Sequence, residues 1–235
     1  MFKLPLLAAP FWIAGTQKCS AMETGSTTGL LSWEQFVEET SIAVEGLYGD
    51  SSPAGQDAYL HRIASNAVRL GEKPSSEMIS IAGAENYRFG MAHMGSPFFV
   101  VHWTMEPNSI YPAHNHPDYS VCTLGLDGDV LIENYEVSEQ APVFNSGSSE
   151  YFDIRHTKTE LIERGDIDSL SATRNNIHYL RTGARGAEGV DITTAYTSDT
   201  AFSFLRFDDD AHVGTGEVRQ ARWVGQNAAD AAPTS

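Results

Sequence analysis

Short apolar runs separated by turn-forming residues fill the chain between residues 98 and 207. The run at 98–105 consists mostly of bulky apolar residues and lies between Pro97 and Pro107, a pattern typical of a buried strand. Asp127-Gly128-Asp129 separates two further runs and predicts a hairpin turn. The runs together predict a mainly β fold, either an antiparallel sandwich or a barrel. The other strands are predicted at residues 119–126, 130–135, 151–154, 159–162, 167–170, 177–180, 190–195 and 202–207.

Two amphipathic helices are predicted ahead of these strands. Ser32-Trp33-Glu34-Gln35 has the form of a capping box, and apolar residues follow it at helical spacing as far as Gly49-Asp50. Ser52-Pro53 supplies an N-cap and a first-turn proline for the second helix, which is predicted to end before Gly71. Because each helix has one apolar face, we expect the pair to form an annex packed against the β domain.

The length of 235 residues allows one ample core with a helical annex. The leader holds an apolar run after Lys3 that is too short to span a bilayer. It is either a signal peptide ending near Cys19-Ser20-Ala21 or an artefact of a true start at Met22. The predicted parts are a leader at 1–29, the two-helix annex at 30–73, the barrel at 74–226 and a disordered tail at 227–235.

The acidic charge of the chain argues against two classes of partner. The formal net charge is −16, so like-charge repulsion disfavours nucleic acid and anionic membrane surfaces. Cys19 lies in the leader and Cys122 in a predicted strand, and with no other cysteines a disulfide framework is not expected. We expect a cytoplasmic protein, or an exported one if the leader is a signal peptide.

Three histidines are candidate metal ligands. His114 and His116 stand two residues apart, and side chains with that spacing point to the same face of an extended strand. Their imidazoles can therefore reach one metal ion. His178 lies on a later predicted strand between apolar residues, where it is either a buried core residue or the third ligand.

Residues 98–196 resemble the cupin superfamily and, within it, the thiol dioxygenases such as cysteine dioxygenase, aminoethanethiol dioxygenase and the plant cysteine oxidases. The resemblance rests on His114-Asn115-His116-Pro117, Gly128 and Asn175-Asn176-Ile177-His178. It implies an RmlC-like jelly-roll barrel with a metal held by His114, His116 and His178. Most metal-binding cupins add a glutamate four or five residues after the second histidine, but Ser120 and Val121 stand there. The missing carboxylate matches the three-histidine thiol dioxygenases.

The resemblance implies an enzyme that uses iron(II) and dioxygen to oxidise a small thiol to a sulfinic acid. Three neutral imidazoles leave the metal charge uncompensated and three octahedral positions open, so a thiolate can bind directly. The resemblance also implies a catalytic hydroxyl on Tyr196. Tyr119 either lines the substrate pocket or is a plain packing residue. Arg88 either holds a substrate carboxylate or is a surface residue of an edge strand. The crosslinking cysteine of some relatives corresponds to Val121, and Cys122 points to the opposite face, so no crosslink is expected.

Two other functions are compatible with the same histidines. One is a different oxygenation, such as cleavage of a carbon–carbon bond in a β-diketone, which also uses three histidines. The other is a non-catalytic metal-binding module whose histidines hold zinc or nickel. The expected partners are a small-molecule thiol and dioxygen, without nucleic acid or membrane. The expected assembly is a monomer or a homodimer.

Overall fold

A computed structural model describes residues 29–81, 83–95, 98–137, 142, 149–196, 202–208 and 213–231. Apart from residue 29, the leader and the alternatives predicted for it lie outside these ranges. The helices are α1 (Trp33–Gly49) and α2 (Pro53–Ala67), and a 3-10 helix spans Ala228–Ala231. The strands are β1 (Ile79–Ile81), β2 (Ala84–Met94), β3 (Phe98–Met105), β4 (Ile110–Asn115), β5 (Tyr119–Val137), β6 (Phe152–Ile162), β7 (Ile167–Leu170), β8 (Ile177–Ala195), β9 (Phe204–Phe207) and β10 (Val218–Gly225).

The strands are antiparallel and close into a barrel. From β8 the pairings run through β4, β9, β10 and β6 to β5, and β5 pairs again with β8, which closes the ring. The second half of β8 also carries β3, β2 and β1 in that order, and β7 borders the first half of β5. The predicted fold class, a mainly β, cupin-type jelly-roll barrel with a short N-terminal helical annex, is confirmed.

The two predicted helices are present, and the first begins with the predicted capping box. Ser32 Oγ accepts a hydrogen bond from the backbone N–H of Gln35, and the side chain of Gln35 accepts one from the backbone N–H of Ser32. None of the helices in the described ranges is long and apolar enough to cross a membrane.

The annex covers one face of the sheet formed by β3, the first half of β5 and the second half of β8. Buried side chains of both helices share a hydrophobic cluster with residues of these strands. Because side chains alternate along a strand, the intervening residues point away from the annex and into the barrel. The cluster contains, among others, Phe36, Val44, Leu60, Ile63, Phe98, Val100, Cys122, Leu124, Val190 and Ile192.

The hairpin predicted at Asp127-Gly128-Asp129 is wrong. β5 continues through this segment from Tyr119 to Val137, with irregular register on both sides of Gly128. Gly128 has φ +70°, and a Cβ there would overlap the carbonyl oxygen of Gly186 on β8. The local turn signal therefore marks a bulge beside a close strand neighbour rather than a chain reversal. The pieces predicted at 177–180 and 190–195 are likewise parts of one continuous strand, β8. Those predicted at 151–154 and 159–162 belong to β6, which begins at Phe152.

The structure differs from the prediction at two further places. Strands β1 and β10 were not predicted, and β2 and β4 were expected only as the strands of Arg88 and of the His114–His116 pair, because polar, glycine or proline residues interrupt their apolar pattern. The segment predicted as a tail from residue 227 contains the 3-10 helix, in which Ala228 and Ala231 are buried in the barrel core. Alanine side chains are small enough for this backbone to pack closely, so the segment up to Ala231 belongs to the fold. Residues 232–235 lie outside the described ranges.

Candidate metal centre

Two segments of the chain, the end of β4 and the start of β8, bring His114, His116 and His178 together inside the barrel. His114 lies on β4, directly opposite His178 on β8 in the antiparallel register. His116 follows the end of β4, and its backbone N–H donates to the carbonyl oxygen of Asn176, 2.7 Å away. All three side chains are buried, and their candidate ligand atoms lie within 4.8 Å of one another. The expectation that an i, i+2 pair and His178 converge on one point is thus met.

The ring nitrogens are spaced as a metal ion would require. His178 Nε2 lies 2.8 Å from His114 Nε2 and 3.0 Å from His116 Nε2. Two nitrogen ligands at about 2.1 Å from an ion lie about 3.0 Å apart at a right angle and about 3.4 Å apart in a tetrahedron. The two distances from His178 therefore match ligands that meet an ion at about a right angle, and all three candidate ligand atoms lie within 4.8 Å of one another. His114 Nδ1 also lies 2.9 Å from the carbonyl oxygen of Pro112, which places its proton on Nδ1 and leaves Nε2 free as a ligand.

Burial keeps the three imidazoles neutral. Burial and the neighbouring imidazoles hold the pKa of His114 and of His116 well below the usual range. Burial lowers the pKa of His178 to about 3. A neutral imidazole is the form that binds a metal. The residues present therefore fit a divalent ion without first losing protons near pH 7.

The loop before β8 connects this centre to the annex. Thr173 Oγ1 donates to Gln56 Oε1 at 3.1 Å, and Arg174 Nε donates to Asp57 Oδ1 at 2.9 Å. Both acceptors lie on α2, while Asn176 of the same loop accepts the backbone hydrogen bond of His116. The annex thus helps to hold the loop that leads into His178.

A cavity of about 280 Å³ opens onto the histidines. Tyr119, predicted as a pocket residue, lines it and meets the His116 ring edge-on with 4.7 Å between ring centroids. Tyr111, which sequence reasoning missed, meets the His114 ring at 4.8 Å. The described residues that line the cavity are Ile81, Tyr87, Phe89, Phe99, Val101, Tyr111, His114, His116, Tyr119, Val121, His178, Leu180, Asp191, Thr193 and Phe202.

Arg88 does not reach this cavity. Its side chain is exposed, and Nη2 donates to the carbonyl oxygen of Met78 at 3.2 Å. Its neighbours on β2, Tyr87 and Phe89, both line the cavity. Because side chains alternate across a strand, Arg88 must point outward. The substrate-binding role predicted for Arg88 is corrected accordingly.

Tyr196 also lies outside the cavity. Its hydroxyl bonds to Ser120 Oγ, and its ring packs against the annex cluster. Asp191 and Thr193 line the cavity. Because side chains alternate along a strand, the even-numbered residues from Ile192 to Tyr196 face the helices instead. The catalytic role predicted for Tyr196 is corrected for this reason.

The positions of Ser120, Val121 and Cys122 agree with strand alternation. Val121 lines the cavity, whereas Ser120 contacts Tyr196 and the Cys122 thiol is buried in the annex cluster. Burial raises the pKa of the Cys122 thiol. Neither position where most cupins place a glutamate brings a carboxylate to the histidines.

Asp191 is a cavity residue that sequence reasoning missed. Its Oδ1 accepts hydrogen bonds from Thr123 Oγ1 at 2.7 Å and from Trp103 Nε1 at 3.1 Å. Burial raises the pKa of this carboxyl to about 6, against the lowering effect of these two hydrogen bonds. A single acidic residue between Val190 and Ile192, in a predicted buried strand, is the signal that could have revealed it.

No family model matches the chain, and no curated protein sequence matches it. Several solved structures are similar to about half of the chain at low identity. KdgF from Halomonas sp. is 8% identical over 52% of this chain and 89% of its own, with a TM-score of 0.37. The cupin domain of Schizosaccharomyces pombe Cnp3 is 10% identical over 52% and 70%, with a TM-score of 0.37. A protein with a double-stranded β-helix domain from Klebsiella pneumoniae is 13% identical over 57% and 88%, with a TM-score of 0.34.

The structure itself shows a closed barrel of antiparallel strands with a buried three-histidine group compatible with a metal site.

Proposed function

We propose that the protein is a mononuclear iron(II) dioxygenase that adds both atoms of dioxygen to the sulfur of a small thiol and forms a sulfinic acid. One observation carries the proposal. Three buried, neutral imidazoles converge with their candidate ligand atoms within 4.8 Å of one another, and among the described residues no carboxylate joins them. The reaction of one thiol with one dioxygen to one sulfinic acid balances without a further co-reactant.

His114, His116 and His178 would hold the ion. When bound, iron(II) supplies the electrons that activate dioxygen, and its uncompensated double charge favours an anionic thiolate as an additional ligand. A carboxylate ligand would weaken the preference for a thiolate. Val121, which stands at one of the usual glutamate positions, lines the cavity with an apolar side chain instead, and this supports thiol chemistry.

Aromatic side chains of the chain position the ligands and exclude water. Tyr111 and Tyr119 pack edge-on against His114 and His116, which restricts rotation of the imidazoles. Burial raises the pKa of both tyrosines, so their hydroxyl groups keep their protons at neutral pH and remain hydrogen-bond donors. Phe202 adds another apolar wall beside His114, at 6.0 Å between ring centroids.

A second candidate is dioxygen-dependent cleavage of a β-diketone. The observation in its favour is the composition of the cavity wall, which is mostly aromatic and aliphatic and has no lysine or arginine among the described residues. Such a wall suits an apolar substrate as well as a small thiol.

Oxygen uptake separates these functions. The protein would be loaded with iron(II) without oxygen and then mixed with cysteine, cysteamine, 3-mercaptopropionate or acetylacetone in aerated buffer. The proposal expects thiol-dependent uptake of one dioxygen per thiol and a product heavier by two oxygen atoms. Uptake with acetylacetone alone would establish the second candidate, and bound metal without any uptake would indicate a non-catalytic module.

His178→Ala tests the centre itself. Removal of one of three ligands should abolish stoichiometric iron binding and thiol-dependent uptake, since two imidazoles hold an ion poorly. His61→Ala is the matched control, because His61 is exposed on α2 and should leave both properties unchanged. A full equivalent of tightly bound iron in His178→Ala would refute the assigned ligand set.

A further inference from the structure

His178 has a ring nitrogen whose hydrogen-bond partner is missing from the described part of the chain. Its Nε2 lies 2.8 Å from His114 Nε2 and 3.0 Å from His116 Nε2, where a metal ligand would stand. A ligating Nε2 carries no proton, so the proton of this neutral imidazole lies on Nδ1. Nδ1 is buried, and no described residue accepts a hydrogen bond from it. A buried donor left without an acceptor is unfavourable.

Asn134 on β5 has an acceptor in the same condition. Its side chain is fully buried, and Nδ2 donates to Asp168 Oδ2 at 3.3 Å. The carboxylate of Asp168 can only accept, so the nitrogen of the amide must face it and Oδ1 must face away. Oδ1 of Asn134 is buried and has no donor among the described residues.

The strand register places the unpaired donor and the unpaired acceptor beside each other. His178 on β8 stands directly opposite Asn134 on β5 and, across its other edge, opposite His114 on β4. Residues directly opposite each other in an antiparallel pair project from the same face, with Cβ atoms about 4.5–5.5 Å apart. Asn134 therefore projects into the barrel next to His178. Ile132, two residues earlier on β5, stands in the same way opposite Leu180 of the cavity wall.

An ion pair holds the amide of Asn134 in this orientation. Lys158 Nζ pairs with Asp168 Oδ1, and the second oxygen of Asp168 accepts from Asn134. Because Asp168 is only 1% exposed, a reversed amide would place its oxygen against a buried carboxylate. The ring N–H of a metal-binding histidine almost always donates to an oxygen of this kind, which fixes its tautomer and orientation. His114 already has such a partner in the carbonyl oxygen of Pro112, 2.9 Å from its Nδ1.

We infer that Asn134 is the positioning residue of His178, with its Oδ1 accepting a hydrogen bond from His178 Nδ1–H in the metal-loaded protein. Asn134 does not touch the ion and acts only through the imidazole. Lys158 and Asp168 act one step further away, because they orient the amide. The inference rests on the metal centre assigned to the three histidines and is independent of which substrate that centre uses.

Heteronuclear NMR of zinc-loaded wild-type protein tests the inference without any variant. Zinc(II) is diamagnetic and accepts imidazole ligands, and nitrogen chemical shifts distinguish a metal-bound ring nitrogen from a protonated one. We expect His178 to bind through Nε2 and to carry its proton on Nδ1. We also expect a nuclear Overhauser contact between that proton and the side-chain amide of Asn134. The inference is overturned by a metal-bound Nδ1, or by a contact with the side chain of Asn176, whose buried Oδ1 also has no described partner.

Asn134→Leu measures what the hydrogen bond contributes to metal binding. Leucine has a similar volume but cannot accept, so the dissociation constant for zinc(II), measured by competition with a chelator, should rise about 10- to 100-fold. The Nδ1 proton of His178 should also exchange faster with water. Asn66→Leu is the matched control, because it removes a buried asparagine of α2 outside the barrel and should leave zinc affinity unchanged.

A folded Asn134→Leu variant that binds zinc(II) as tightly as wild type would overturn the inference. Failure of the proposed thiol chemistry would leave all of these results unchanged, since none of them involves a thiol or dioxygen. Wild-type protein that binds no zinc(II) would refute the metal centre and the inference together.

Discussion

Replacement of Gly128 by alanine should destabilise the barrel by about 2–5 kcal/mol. Gly128 has φ +70°, which costs a residue with a Cβ about 1–2 kcal/mol. The new methyl group would also overlap Gly186 O and lie 2.9 Å from Ala187 Cα, both in the backbone of β8. Overpacking of this kind adds about 1–3 kcal/mol, because two long strands must move apart.

Urea and thermal denaturation measure the change directly. For a chain of this size we expect a fall in Tm of roughly 5–15 °C. Gly165→Ala is the matched control, since Gly165 has φ +88° but no atom within 4 Å of the added Cβ. Gly165→Ala should lower the free energy of unfolding by about 1 kcal/mol, the cost of the positive φ alone. If Gly128→Ala costs no more than Gly165→Ala, the close approach of β5 and β8 at the bulge is refuted.

Two more stability predictions concern charged side chains inside the fold. Lys158→Met removes the cationic partner of Asp168, whose side chain is 1% exposed, and should cost about 3 kcal/mol in urea. The double variant Lys158→Met/Asp168→Leu should recover most of the stability that Lys158→Met loses. A double variant no more stable than Lys158→Met alone would contradict the reasoning. The pKa of Asp191 is raised from 3.8 to about 6 in the folded state. The protonated carboxyl therefore contributes fully to the free energy of unfolding below pH 4, and this contribution is lost as the pH rises through 6. Asp191→Asn should therefore be more stable than wild type by about 2 kcal/mol at pH 7.5 and equal to it at pH 4, and a gain that persists at pH 4 would refute this origin.

Local signals in the sequence were sufficient for the helices and for the histidines. The capping box at Ser32 depends on four consecutive residues, and the convergence of His114 and His116 depends only on their spacing. His178 needed the resemblance to a known family, because its register opposite His114 is a long-range property.

Side-chain direction is where the sequence prediction of the site was incomplete. Distance along the chain places Arg88 and Tyr196 near the expected positions, but the parity of each strand decides which face they occupy. For Arg88 the parity was readable, since its two neighbours are aromatic residues that belong inside the barrel. For Tyr196 the face that the side chain occupies depends on the register between β5 and β8. The bulges around Gly128 shift that register. No local pattern in either strand reports such a shift.

The position of Asp191 links stability to function in this barrel. Its neighbours Val190 and Ile192 pack against the annex. An apolar residue at position 191 would face the cavity without the cost of removing a carboxylate from water, the cost that raises the pKa of Asp191. The carboxyl group is therefore unfavourable for folding at neutral pH, yet Thr123 and Trp103 fix its orientation. A group that is held in place at a cost to stability is expected where a ligand uses it. By this argument the same substitution, Asp191→Asn, should make the protein more stable at neutral pH.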